Sequence, residues 1–127
     1  MQIIDDYMTS TPVTLEPNQT LETAKSLMRV HNCKHLPILS GGLIVGILSE
    51  RDVNYLKVLT DQSFRSSKVK DVMIEDPFVV SSGTSLKKVA NGMASRQIGS
   101  ALVADDTGKL KGIFTYIDAL EALAEQN

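Results

Sequence analysis

The sequence predicts an α+β chain made of two copies of one βαββα unit. Two observations carry this prediction: the chain matches itself at a fixed offset, and both halves run through the same order of β-prone and helical segments, punctuated by turn residues at matching places. An offset of 65 residues places Met8 on Met73, Pro12 on Pro77, Leu21 on Leu86 and Met28 on Met93. One inserted residue in the Asp105–Lys109 turn then makes the offset 66, which places Gly46 on Gly112, Ile47 on Ile113, Ser49 on Thr115 and Asp52 on Asp118.

Each copy opens on a short β-prone run after a proline, V-T-L after Pro12 and F-V-V after Pro77, closed by Pro17 or by Ser82 and Gly83. A helix follows in each. Leu21, Ala24, Leu27 and Met28 recur at helical spacing behind Thr20, and Leu86, Val89, Ala90 and Met93 do so behind Ser85, so each helix has one apolar face and a hydroxyl at its N-cap. Two strands and a tight turn come next: His35 to Leu39 and Leu43 to Leu48 around Gly41-Gly42, then Ser100 to Ala104 and Leu110 to Phe114 around Asp106 to Gly108. A second helix ends each copy, from about Glu50 to Leu59 and from about Tyr116 to Glu125. The polar stretch Thr60 to Ser67 has no apolar period and reads as the linker, so the copies are 1–62 and 63–127.

Size and composition narrow the function. With 127 residues, 43% of them apolar and 22% charged, the chain has enough apolar material for a packed core. Half of it has too little to be secure alone, and a single cysteine, Cys33, rules out an internal disulfide framework, so the halves are expected to pack as one module. The net charge of −2, with no clustering of Lys and Arg, argues against nucleic acid and anionic membrane as partners. MQIIDDYM lacks the basic start of a secretory signal, and no apolar run approaches the roughly 18 residues of a membrane span, so a cytoplasmic location is expected. His31, Cys33 and His35 alternate at a spacing unlike common zinc sites, and no metal is expected there. There is no G-x-x-x-x-G-K-[ST] loop and no H-E-x-x-H, and Gly41-Gly42 belongs to a hairpin, so no catalytic activity is expected. Met8, Met28, Met73 and Met93 read as core fillers.

The succession L-x-x-A-x-x-L-M, H-L-P-I and G-I-L-S-E-R-D, with V-K-D-V-M-x-x-D-P opening the second copy, resembles a tandem cystathionine-β-synthase (CBS) domain pair along the whole chain. The resemblance implies a Bateman module: two repeats packed with pseudo-twofold symmetry, sheets face to face, two equivalent clefts between them, and a disc-shaped homodimer. It implies a regulatory ligand, AMP, ADP, ATP or S-adenosylmethionine, with no required cofactor, and an effector that is a separate protein. One cleft would take Ser49, Arg51 and Asp52 with Asp76, Pro77, Ile98, Gly99 and Ser100. The other would take Thr115 and Asp118 with Thr11, Pro12, Cys33, Lys34 and His35.

The physical reading of these residues centres on Ser49-x-x-Asp52 and Thr115-x-x-Asp118, each at the start of a helix. A helix N-terminus and a hydroxyl suit a phosphate, and an acid one turn on can accept hydrogen bonds from both hydroxyls of a ribose. The same spacing is also a capping box, which needs no ligand. Arg51 favours the first cleft for phosphate, since Ile117 stands at the matching place in copy two. Two functions stay open: a sensor of an adenosine ligand, and a structural homodimerisation module with vacant clefts.

Overall fold

The computed structural model describes residues 1–59 and 66–126. Most of the expected linker, Thr60 to Arg65, lies outside the described residues. The two longer helices and the hairpin of each copy follow the predicted order, while a strand at Thr9–Ser10 and a short helix at Val69–Val72 are additions to it. Strand β1 (Thr9–Ser10) precedes α1 (Leu21–His31), the hairpin β2 (His35–Ser40) and β3 (Leu43–Ser49), and α2 (Glu50–Leu59). A short helix α3 (Val69–Val72) leads into β4 (Val79–Ser81), α4 (Leu86–Arg96), the hairpin β5 (Ser100–Ala104) and β6 (Leu110–Thr115), and α5 (Tyr116–Glu125). Among the described residues no helix is long and apolar enough to cross a membrane.

Local chemistry sets the ends of these elements. Thr20 Oγ1 accepts from Thr23 N and Ser85 Oγ from Lys88 N, both at 3.1 Å, each cap contributing about 1 kcal/mol. Both helices end on a left-handed residue, Asn32 (φ +51°) and Gln97 (φ +56°), which releases the chain into the following strand. The β5–β6 turn is held by Asp105, whose Oδ1 accepts from Thr107 N at 2.9 Å and Lys109 N at 3.1 Å.

Two compact units result, Val13–Pro77 and Met1–Pro12 together with the chain from Phe78 onward. Repeats of sequence and units of packing are thus different divisions of this chain. Each unit takes its outer β pairing from the leader of the other repeat. In one, β1 pairs with β6, Thr9 opposite Ile113; in the other, Ile74 bridges Ile47 at the equivalent place, with both backbone bonds formed at 2.9 and 3.0 Å. Ile4 and Val69, again equivalent, anchor the two leaders by complete burial, about 1.5–3 kcal/mol apiece. This crossing explains Gly46 and Gly112: a Cβ at Gly46 would strike Met73 Sδ and Ile74 O, and one at Gly112 would strike Met8 Sδ and Thr9 O.

The cores correspond. Leu15, Leu21, Ala24, Met28, Leu36, Ile38, Leu48, Val53 and Val69 fill one unit; Ile4, Val89, Met93, Ala101, Val103 and Phe114 fill the other. Met73 packs against the first and Met8 against the second, so all four repeat-equivalent methionines fill space.

One expected strand is reduced. V-T-L after Pro12 forms a single parallel bridge, Leu15 to Ile38, whereas its counterpart β4 pairs with β5 over three residues. The cause is Pro37: Leu102 N, at the matching place, donates to Phe78 O at 2.8 Å, and a proline has no N–H to give. Pro37 leaves the hairpin itself unchanged, since Pro37–Ile47 and Leu102–Ile113 are equivalent register pairs and both hairpins shift register at the same point.

Candidate functional site

In the Val13–Pro77 unit, the end of β3 and the start of α2 place the first motif. Gly46, Ile47 and Leu48 are buried, and Val53 at 1% exposure pins α2 to the core, so Asp52 beside it has little freedom. Ser49 caps the helix: its Oγ accepts from Asp52 N at 3.2 Å. The first helical amide, Glu50 N, donates to Lys34 O at 2.8 Å. Asp52 Oδ2 is buried and has no hydrogen-bond partner. Desolvating a carboxylate oxygen without a partner is costly, which makes this atom the most unusual polar group of the unit. Asp52 also lines a groove of about 350 Å³ with Tyr55 and Leu56 of α2, Asp71 and Val72 of α3, and Ile74. The Ile47–Ile74 bridge brings the α3 leader there, and Asp71 Oδ2 accepts from Lys68 N at 2.9 Å.

The second motif, in the other unit, is built differently. Asp118 Oδ2 accepts from Thr115 N at 2.9 Å and from Thr115 Oγ1 at 3.4 Å, so the acid reaches back to the helix cap. Tyr116 N donates to Gly99 O at 3.0 Å, the counterpart of the Glu50–Lys34 bond.

The pre-strand turns sit beside the motif of their own repeat within each unit. His35 pairs with Ser49 and Ser100 with Thr115, so Lys34 and His35 neighbour Ser49, while Gly99 and Ser100 neighbour Thr115. Ile98 is 39% exposed, and Arg51 is exposed at the first turn of α2. Burial pushes the Cys33 thiol above its usual range, against the thiolate that redox chemistry needs. Burial also holds His35 below the usual imidazole value, with the nearby Asp52 carboxylate opposing. Thr11 (φ +44°) and Asp76 (φ +56°), each preceding a proline, occupy the left-handed region at equivalent places. That conformation is strained for a β-branched threonine, and its occurrence at both places marks a shared constraint on the leaders.

Sequence reasoning missed Tyr55, Leu56, Asp71, Val72 and Ile74 as groove residues. Asp71 and Val72 lie in V-K-D-V-M, the run that opens copy two, so a signal was present, but only the fold shows that this run borders α2.

The CBS domain family model matches residues 4–56 and 69–125. The CBS domain-containing protein YhcV of Bacillus subtilis is 30% identical over 118 residues, 93% of this chain and 83% of that protein. Other curated relatives are longer, and the chain spans 48% and 21% of two of them. Among solved structures, CBSX2 in complex with AMP is 25% identical, with a TM-score of 0.82 over 98% of each chain. The CBS domain pair of MJ0100, solved with 5′-methylthioadenosine and S-adenosyl-L-methionine, is also 25% identical, with a TM-score of 0.83 over 96% of this chain and 99% of that one. With two matched repeats on a shared fold, the chain belongs to the CBS domain family.

Proposed function

We propose that repeats 1–62 and 63–127 together make one regulatory module that binds an adenosine-containing ligand, of the class AMP, ADP, ATP or S-adenosylmethionine, and signals to a separate protein. The observation that carries this reading is Asp52 Oδ2, buried without a partner at the wall of a groove. A ribose offers what this oxygen lacks, because vicinal hydroxyls donate two hydrogen bonds to one carboxylate. The AMP bound to CBSX2 and the adenosine compounds bound to the MJ0100 pair support the ligand class. Equilibrium titration with AMP, ATP and S-adenosylmethionine tests it. Saturable binding of at least one, weakened by Asp52→Ala, is expected; the absence of binding by all three refutes it.

A second copy of the chain is proposed to cover the outer face of α5. Tyr116, Ile117, Leu120 and Leu123 leave 42%, 46%, 57% and 65% of their surface exposed at helical spacing, an apolar stripe of the kind that partners cover. Sedimentation velocity tests this: Leu120→Glu with Leu123→Glu should convert a dimer to a monomer, and a dimer that persists places the interface elsewhere.

A further inference from the structure

We infer that the Asp52 groove selects adenosine compounds whose 5′ substituent carries no phosphate, a thioether or a sulfonium, over nucleotides. The inference rests on the adenosine reading above and narrows it. Of the six lining residues, two are carboxylates, Asp52 and Asp71, and the others, Tyr55, Leu56, Val72 and Ile74, offer apolar walls. Among the described residues no Lys or Arg lines the groove. A phosphate monoester brings about −1.5 to −2 charges at neutral pH and needs cations or open N–H groups to hold them.

Helix α2 does not supply those groups freely. Its first amide is taken by Lys34 O and the amide of Asp52 by Ser49 Oγ, which leaves less of the open N–H array that binds anions at helix starts. Arg51 is exposed and outside the lining. A nucleotide placed with its ribose on Asp52 would therefore bring its phosphate against a second acid, with no cation from the described lining residues to compensate it. A thioether loses nothing against Leu56, Val72 and Ile74. A sulfonium gains from both carboxylates and from the face of Tyr55, which is 69% exposed.

Isothermal titration of the full chain with 5′-methylthioadenosine, S-adenosylmethionine, AMP and ATP tests the inference. The first two should bind at least about tenfold more tightly than the nucleotides, the discrimination that one like-charge contact produces at a partly exposed site. Asp71→Asn retains a side-chain oxygen to accept from Lys68 N while removing the charge. It should therefore tighten AMP several-fold, to a degree set by the local dielectric, and weaken S-adenosylmethionine, whose sulfonium loses one of its two carboxylates. AMP or ATP binding as tightly as the thioether overturns the selectivity and leaves the adenosine reading standing. Tight binding that neither Asp52→Asn nor Asp71→Asn alters overturns the groove as the site. If none of the four compounds binds, both readings fall together.

Discussion

The starts of α2 and α5 carry the same hydroxyl-x-x-acid motif at equivalent places and use it in opposite ways. At Thr115–Asp118 the carboxylate turns back on its own cap and is held by the Thr115 amide and hydroxyl. At Ser49–Asp52 only the hydroxyl caps, while the carboxylate keeps a buried oxygen without a partner beside a groove. The first arrangement stabilises the fold. The second leaves a desolvated oxygen unpaired, which costs stability, and this is the cost that the proposed ligand would offset. One motif has thus become a structural device in one unit and a candidate ligand contact in the other.

Substituting each acid in turn tests this difference, and the largest effect is expected here. Asp52→Ala should weaken the adenosine ligand at least about 30-fold through loss of charge-assisted hydrogen bonds, with the stability of the ligand-free protein unchanged or raised. Asp118→Ala should lower stability by about 1 kcal/mol and weaken binding far less. Calorimetric titration and urea unfolding measure both. A larger loss of stability at Asp52 than at Asp118 would reverse the assignment.

The leaders give a second contrast. Asp5 accepts from the Ser82 hydroxyl, from Gly83 N at 2.7 Å and from Lys111 Nζ at 2.9 Å, which ties the N-terminal segment to the loop before α4 and to β6. The residues at the matching places of the other unit are Lys70, Pro17, Asn18 and Val45, which cannot build such a cluster. The Val13–Pro77 leader is continuous in sequence with its unit, whereas the Met1–Pro12 leader joins a unit whose remainder begins at Phe78, so it is the leader with more to gain from polar fastening. The hydrogen bonds from Ser82, Gly83 and Lys111 hold the Asp5 carboxyl well below the usual range. Because its pKa is lower folded than unfolded, its contribution is present above the unfolded value near 3.9 and is lost as pH falls through the folded one. Asp5→Asn should cost about 2 kcal/mol at neutral pH, a difference that shrinks below about pH 4, whereas Lys70→Ala should stay within about 0.5 kcal/mol. Urea unfolding across that pH range measures both.

The local parts of this fold were legible in the sequence because local chemistry makes them. Thr20 and Ser85 cap as their positions predict, Gly41-Gly42 and the Asp105 turn close the hairpins, and α2 and α5 span the expected Glu50–Leu59 and Tyr116–Glu125. The crossing of the leaders was not legible, since Ile47–Ile74 and Thr9–Ile113 join residues distant in the chain and no periodicity announces such a pairing. Nor could spacing show which aspartate is spent. Ser49-x-x-Asp52 and Thr115-x-x-Asp118 have the same spacing, and the direction of each carboxylate depends on what packs around it. The missing strand after Pro12 is intermediate: Pro37 was visible, but its partner across the sheet was not.

The smallest contrast lies at the start of the two hairpins, where His35 in one unit faces Ser49 and Ser100 in the other faces Thr115. Only the first of these is an ionisable side chain. Desolvation is the largest influence on His35 and favours its neutral form; Asp52 and Glu50 pull the other way, and Arg51 and Lys34 oppose protonation. The folded pKa lies below the unfolded value near 6.5, so between the two the unfolded chain binds more protons and stability rises with pH. As pH drops below about 6.5 the folded state should therefore lose stability, and His35→Gln should remove that part of the slope while Ser100→Ala leaves it in place. Urea midpoints at pH 7.5, 6.5 and 5.5 decide the matter. A slope of opposite sign would mean that Asp52 outweighs desolvation and that its carboxylate is engaged by His35 before any ligand arrives.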